Sequence, residues 1–390
     1  MDTETERGWE KIKWAQAHMP VNKGISSRFE REQPFAGLRI GAALHLEAKT
    51  ANLILTLRAG GAELYVIGSN PLSTQDEIVA AISQTEGITV SASHGEASEE
   101  HEKNIDRLID FSPNLIVEDG GDVVVRLHER EPWPTPGPMG VSEETTTGVE
   151  RLRELSEQGK LKLPAIAVND AQMKHLFDNC YGTGQSTWDA IMRATNLLVA
   201  GKSVLIVGYG WCGKGIALRA HGLGARVLIA ELDPVKAVEA RMEGHEVVSL
   251  AEGMERADFV VTATGQDGVI GEEELARCKD GALLANAGHF GYEIDKDSLA
   301  RMAIEQQKAR DGVEGYILED GRTLYLLGEG ELVNLALGDG HPVEIMDISF
   351  ALQALSLEYL VRNAAGLSPQ VISVPEEIDE HVARMVLASL

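Results

Sequence analysis

Apolar and polar positions along this chain fall into short blocks whose period switches back and forth. Leu38–Leu44, Glu63–Ile67, Ile88–Val90 and Asn114–Glu118 are brief runs rich in Ile, Val and Leu. Bounded by Gly, Asp and Asn, such runs predict buried strands. Between them, Thr50–Leu57, Thr74–Ile82 and Ser98–Ile109 carry apolar residues at helical spacing. Strand and helix alternating over short connections predict a mostly parallel sheet with helices on both faces. Residues 1–36 read as an acidic start and an amphipathic helix, with Trp9, Ile12 and Trp14 available to pack. The run Glu131–Pro138 holds four prolines and is predicted to be a surface loop. Ser142-Glu143-Glu144 has capping-box chemistry and is expected to open a helix towards Gln158, with a strand at Pro164–Val168.

The pattern then repeats. Gly182-Thr183-Gly184 is expected to be a hinge before a helix over Ser186–Val199, and strands are predicted at Ser203–Val207, Arg226–Ala230, Ala257–Ala263 and Ala282–Asn286. Glycine clusters at Gly328–Gly330 and Gly338–Gly340 mark a crossing back, and an apolar helix near Ile348–Val361 is expected to pack on the first domain. The fold class is therefore α/β with two doubly wound, Rossmann-like domains. Residues 1–183 form one domain, 345–370 return to it, 184–344 form the inserted second, and 371–390 form a C-terminal extension.

Within the second domain, Ser203–Val207 feeds Gly208-Tyr209-Gly210-Trp211-Cys212-Gly213, and the residues through His221 can form a helix. Gly208 permits the tight turn, Gly210 lets backbone approach a pyrophosphate, and Gly213 lets the helix lie close on the strand. Arg226–Ala230 ends in Glu231, placed to accept from both ribose hydroxyls and to repel a 2′-phosphate, which argues for NAD as the cofactor. Lys236 follows closely enough to soften that bias.

Composition narrows the class. At 390 residues the chain exceeds one ordinary core. Lys plus Arg number 35 against 61 Asp plus Glu, a formal charge of −26 that disfavours nucleic acid and anionic membranes as partners. No apolar run reaches membrane-spanning length, and the N-terminus lacks signal-peptide shape. The three cysteines (Cys180, Cys212, Cys278) form no Cys-x-x-Cys and cannot build a metal site alone, so a reducing cytoplasm and no metal are expected.

Polar residues gather at predicted strand ends, where open α/β sheets bind ligands. They are His45-Leu46-Glu47-Ala48-Lys49-Thr50, Asp119-Gly120-Gly121-Asp122, Glu143-Glu144-Thr145-Thr146-Thr147-Gly148, Lys174 with Phe177-Asp178-Asn179, Asn286-Ala287-Gly288-His289-Phe290, and Asn334 with Gly340-His341-Pro342. Singly, each has a plainer reading: a turn for Asp119–Asp122, a helix C-cap for Asp178-Asn179, first-turn charges for Glu143-Glu144.

Jointly, and in this order from about Trp14 to about Ala388, they resemble the S-adenosylhomocysteine hydrolase family. The resemblance implies reversible, NAD-dependent hydrolysis of a nucleosyl-homocysteine thioether through a 3′-keto intermediate, as in methyl-cycle recycling. Lys174, with Asp178 and Asn179, matches the base for the 3′-hydroxyl, and Asp119 the C4′ base. His45 and His289 match the pair serving the leaving thiolate and water, and Glu144 the ribose-binding carboxylate. Cofactor contacts are implied for Thr145, Thr146, Thr147, Gly208, Gly210, Trp211, Cys212, Gly213, Glu231, Lys236, Ala287, Gly288, His289 and Asn334. Glu47, Lys49, Thr50 and His341 are implied on the substrate side. A homo-oligomer, a tetramer in the family, is implied as well. Two functions compete with this one: a conventional NAD dehydrogenase, and a relative that has lost activity.

The sequence departs from the resemblance twice. Much of the family has Thr two residues after the His45 match and Gln or Glu two further on; here stand Glu47 and Lys49. A carboxylate only accepts and an ammonium only donates, so Lys49 suits hypoxanthine O6 and Glu47 its N1–H, pointing to S-inosylhomocysteine. The pair can also swap partners and read adenine, or bind each other. The chain also stops at Leu390, where the family typically continues into a tail reaching a neighbour's NAD; either the chain is truncated or the cofactor is held differently, which leaves tight NAD retention and the tetramer open.

Overall fold

The computed structural model describes residues 3–288 and 291–389, and the chain divides into two compact units, Met1–His175 with Val343–Leu390, and Leu176–Pro342. The division falls at 175/176 and 342/343 rather than at 183/184 and 344/345.

In the first unit, Arg39–Leu44 lies in the middle of a seven-stranded sheet. Across the sheet the strands run Val371–Ser373, Ala165–Ala167, Gly140–Glu143, Leu115–Glu118, Arg39–Leu44, Glu63–Gly68, Ile88–Ser91. Every pairing is parallel. The chain winds outward from Arg39–Leu44 in one direction, then returns to place Leu115–Glu118 on its other side. Residues leaving the C-terminal ends of these two strands border a topological switch point. Residues 371–389 add an edge strand and the helix Glu376–Ser389 to this unit.

The N-terminal segment is two helices, Thr3–Ala17 and Pro20–Glu32, rather than one. Ile12 is buried as expected, but Trp14 is 67% exposed. Met19 offers no side-chain cap to the second helix. Asp347, from the long helix Val343–Asn363, instead accepts from Val21 N at 2.9 Å and Asn22 N at 2.8 Å, satisfying orphan donors of the first turn. Ser142 and Glu143 lie in a strand, so the expected capping box does not form; the helix there is Thr146–Glu157, with Thr145 as its N-cap.

In the second unit eight strands run Ala303–Arg310, Val313–Leu318, Thr323–Leu327, Leu283–Asn286, Phe259–Thr262, Ser203–Val207, Arg226–Ala230, Glu246–Val247. The first three form antiparallel pairs that sequence patterning missed. Ala303–Arg310 is almost wholly exposed and polar, so it lacks the apolar run that betrays a buried strand. The remaining pairs are parallel, with the glycine fingerprint again leaving a central strand at the switch point. A π-helix, His175–Gly182, leads straight into the helix Thr183–Thr195. A Cβ on Gly184 would lie 2.3 Å from Gly215 O, so this glycine serves close helix packing.

Candidate active site

Each unit carries its own cluster. In the first, the strand Arg39–Leu44 delivers His45, and Leu115–Glu118 delivers Asp119 on the neighbouring strand. His45 Nε2 lies 3.6 Å from Asp119 Oδ2. On its other side, His45 Nδ1 is 2.6 Å from Ser73 Oγ, whose hydroxyl donates to Asn70 O at 2.8 Å. With its proton committed there, Ser73 accepts from His45 Nδ1–H and turns Nε2 towards Asp119. Nothing in the sequence pattern marked Ser73.

Glu47 is the N-cap of the helix Ala48–Ala59. Its Oε2 accepts from Lys49 N at 2.8 Å and its Oε1 from Thr50 N at 3.2 Å. The same Oε2 lies 2.9 Å from Lys49 Nζ, and both side chains are buried. The Thr50 hydroxyl donates to His45 O at 2.6 Å, tying the His45 backbone to the same turn.

Glu144 follows the strand Gly140–Glu143 and is buried. Its Oε1 lies 3.3 Å from Lys174 Nζ, and its Oε2 accepts from Gln353 Nε2 at 2.6 Å. Lys174 closes a short helical turn whose Gln172 and Met173 N–H groups donate to Asp379 at 2.9 and 3.0 Å. The C-terminal helix thus anchors the Lys174 segment, a role hidden from the sequence by some 200 intervening residues. Thr145 N donates to Glu143 Oε1 at 3.0 Å, Thr146 Oγ1 bonds Asn169 Oδ1 at 3.2 Å, and Thr147 is buried.

In the second unit, Asp178 and Asn179 sit buried in the π-helix, a form frequent at functional sites. Asp178 Oδ1 is 2.6 Å from His341 Nδ1, and His341 Nε2 is 3.3 Å from Thr183 Oγ1. The fingerprint has the shape a dinucleotide requires. Gly208 has φ +94°, a Cβ on Gly213 would lie 2.0 Å from Gly208 O, and a Cβ on Gly210 would meet open space. Gly210 caps the twelve-residue helix Trp211–Gly222, whose N-terminus is suited to phosphate. Trp211 is partly exposed and Cys212 lies 3.6 Å from Thr183 Oγ1. Glu231 follows the next strand, accepting from Tyr209 N at 2.6 Å and Asp233 N at 2.8 Å. Lys236 is exposed on the first turn of the helix Pro234–Met242.

Asn334 donates to Ser186 Oγ at 3.0 Å, while its buried Oδ1 has no hydrogen-bond partner among the described residues. A carboxamide N–H is the donor that oxygen lacks, so the residues present fit a nicotinamide. Beyond the strand Leu283–Asn286, Gly288 N donates to Asn286 Oδ1 at 2.8 Å and Ala287 is buried. Glu293, which sequence reading missed, accepts from Thr264 N at 3.1 Å and Gly265 N at 2.6 Å. It packs so closely that a Cβ on Gly288 would lie 1.6 Å from its Oε1. Burial pushes the Glu293 carboxyl above its ordinary range. His289 lies outside the described residues. Among the described residues no group of His, Cys, Asp or Glu is placed to hold a metal ion, and no helix is long and apolar enough to cross a membrane.

Comparison with known proteins places this geometry. The family described as S-adenosyl-L-homocysteine hydrolase matches residues 3–135, and its NAD binding domain matches residues 179–340. Adenosylhomocysteinase of Thermotoga maritima is 54% identical over 97% of this chain and 94% of its own. S-inosyl-L-homocysteine hydrolase of Methanopyrus kandleri is 51% identical over 98% of this chain and 91% of its own. That of Methanothermobacter thermautotrophicus is 50% identical, over 98% and 92%. Among solved structures, a dipicolinate synthase chain from Bacillus halodurans shares the fold alone: TM-score 0.53 at 13% identity, covering 84% of this chain and 99% of that one. The chain belongs to the S-adenosyl-L-homocysteine hydrolase family, as a thioether hydrolase of the adenosylhomocysteinase type that uses NAD.

Proposed function

We propose that this protein hydrolyses S-inosyl-L-homocysteine in preference to the S-adenosyl thioether, releasing inosine and L-homocysteine reversibly. Overall identity does not choose between the bases, since relatives of both names match about equally, at 51% and 54%. The observation that carries the reading is the buried pair of Glu47 and Lys49. Both Glu47 oxygens already accept from the start of their own helix, and Oε2 also holds Lys49 Nζ. Either base asks Glu47 for a further acceptor, for N1–H of hypoxanthine or N6–H of adenine, so the choice falls to Lys49. Lys49, a buried ammonium with its counter-charge beside it, can only donate. A 6-oxo group accepts that bond; a 6-amino group turns a donor against it.

The Gly208–Gly213 turn, Glu231 and Asn334 would hold NAD, which would supply a reversible hydride acceptor for ribose C3′. Lys174, beside Glu144, receives the 3′-hydroxyl proton as C3′ becomes a ketone, and Asp178 and Asn179 orient that exchange. The ketone acidifies C4′–H, and Asp119 takes this proton. Elimination breaks the C5′–S bond, and His45, held by Ser73, gives a proton to the departing thiolate. Water then adds at C5′, Asp119 returns its proton to C4′, and Glu144 holds the ribose hydroxyls throughout. His289 shares the proton traffic at C5′.

The test is kcat/KM for the two thioethers, with exchange of the 4′ hydrogen in heavy water followed alongside. Preference for the inosyl form with 4′ exchange is expected. A large preference for the adenosyl form overturns the base assignment, and absence of exchange overturns the elimination.

A further inference from the structure

Two carboxyl groups that the reaction does not use lie just behind the Asp119 and Glu144 turns. Glu118 and Glu143 end neighbouring parallel strands, paired in register, and are 1% and 0% exposed. No ion pair reaches either of them among the described residues. Glu143 Oε1 accepts from Gly120 N at 2.9 Å and from Thr145 N at 3.0 Å. Glu118 Oε2 accepts from Val123 N at 2.9 Å. The second oxygens, Glu118 Oε1 and Glu143 Oε2, are buried with no hydrogen-bond partner among the described residues. Packing around Glu143 is tight: a Cβ on Gly148 would lie 2.2 Å from its Cδ. A mere core position would hold an apolar residue, because a buried carboxyl is costly unless its acceptor is needed.

We propose that Glu143 is a positioning residue for the hydrolase reaction, its carboxyl stapling the turn that carries Asp119 to the turn that carries Glu144. The inference rests on the roles given above to those two residues. Gly120 directly follows Asp119, and Thr145 directly follows Glu144. One oxygen on Glu143 therefore fixes the spacing of two backbone turns on which the working carboxylates ride. Glu118 does the same for the helix Asp122–His128 that leaves the Asp119 turn. Arg151 completes the clamp, donating to Gly120 O and to Asp122 Oδ1, each at 2.6 Å.

The staple works in its neutral form. Burial and the proximity of Glu118 and Asp119 raise Glu143 well above the ordinary carboxylate range. Burial and Asp122 raise Glu118, and the backbone bonds from Val123 and Val124, with Arg151 beyond them, offset this only in part. A protonated carboxyl keeps its carbonyl oxygen for the two N–H groups, whereas an ionised pair repels across the strands. Glutamine mimics the neutral acid in shape and acceptor.

The experiment compares Glu143→Gln, Glu143→Ala and Asp119→Asn in the full-length, NAD-loaded enzyme, measuring kcat, KM, 4′-hydrogen exchange and the pH profile of kcat. Glu143→Gln is expected to keep kcat within about threefold and to lose the part of the alkaline fall that the acid pair causes. Glu143→Ala is expected to lower kcat by on the order of 100-fold with a much smaller change in KM, the scale of an ångström-sized misplacement. An unchanged kcat in a folded Glu143→Ala, or a Glu143→Gln as impaired as the alanine variant, overturns the staple. Should the alanine variant not fold, Glu143→Gln decides alone: a large loss of kcat overturns the proposal. Asp119→Asn separates the two levels. If it keeps 4′ exchange, the underlying reaction assignment fails; if it loses exchange while Glu143→Ala is unaffected, only the staple fails.

Discussion

Replacing Glu47 by Thr tests how stability and base recognition are joined at one side chain. Thr retains a cap oxygen for the helix Ala48–Ala59, so the change chiefly removes the partner of Lys49, 2.9 Å away and buried. Stranding a buried charge typically costs about 3–5 kcal/mol. That is a large share of the total stability of about 5–15 kcal/mol expected for a folded protein. Lys49→Gln is milder, because Glu47 keeps the backbone donors at 2.8 and 3.2 Å; about 1–3 kcal/mol is expected. The double change, Glu47→Thr with Lys49→Gln, removes both charges together and is expected to be more stable than Glu47→Thr alone. The pair should thus show a coupling energy of about 2 kcal/mol or more. The same double variant replaces a donor-only head with an amide carbonyl that can accept from an amino group. The kcat/KM ratio should move towards the adenosyl thioether by about 10–100-fold, the worth of one hydrogen bond to a charged group. Urea titrations of the four proteins and kinetics with both thioethers supply the cycle. Additivity within about 0.5 kcal/mol, or an unmoved substrate ratio, refutes the argument.

Ser73→Ala should release His45 from its tautomer and lower kcat by about 10–100-fold, a portion of what general acid–base catalysis supplies; an unchanged pH profile of kcat counts against the Ser73 bond at 2.6 Å. Glu231→Ala should weaken NAD retention by about tenfold or more, read as dinucleotide released per denatured chain. It removes the carboxylate expected to accept from the ribose and frees Tyr209 N from its 2.6 Å bond. Stability should also fall as pH rises above the ordinary carboxylate range, about pH 4. Burial raises Glu118, Glu143, Glu293 and Asp347, so the folded chain holds protons that the unfolded chain has already released. Their stabilisation is complete below that range and is lost as pH climbs through the raised values. Carboxylates lowered by cations, such as Glu77 and Asp106, act below that range and do not mask the trend. Melting temperatures between pH 5 and 8 should slope downward, and Glu118→Gln should flatten the slope.

How much the sequence disclosed depended on whether a residue's neighbours were local. Most parallel strands were legible because buried strands need continuous apolar runs, whereas the short Gly140–Glu143, Glu246–Val247 and Val371–Ser373 were not; Gly208, Gly210 and Gly213 were legible because the turn admits little else at those places. The strand Ala303–Arg310 was not, since an exposed edge carries Glu, Gln, Lys and Arg like any loop. Ser142-Glu143-Glu144 misled for a related reason: acidic residues ahead of a helix suggest caps, yet Glu143 is a strand residue whose carboxyl is turned to Gly120 and Thr145. In the site, residues that touch along the chain were readable, and Glu47 with Lys49 is the example. Ser73, Gln353 and Asp379 were silent because their partners lie 28, 209 and about 207 residues away. Only the fold reveals them.

The distribution of counter-charges explains why Glu118 and Glu143 stand apart from the other acids of the site. Glu47 faces Lys49, Glu144 faces Lys174, and Asp178 faces His341. In each pair a basic side chain lies within ion-pairing distance of the acid. Glu118 and Glu143 have backbone donors and each other, with Arg151 acting on Glu118 only from beyond. Backbone N–H groups offset part of the desolvation, but two adjacent anions without a cation between them cannot both persist in a dry interior. A proton must therefore reside in that pair at neutral pH. This follows from where the sheet places Leu115–Glu118 and Gly140–Glu143 side by side, with the last residues opposite each other. The register that sets Asp119 and Glu144 at the C-terminal ends of neighbouring strands also buries an acid one residue behind each of them. On the roles proposed above, Asp119 and Glu144 ride on turns whose seat holds that proton, so its loss at high pH should disturb the geometry before the turns themselves unfold.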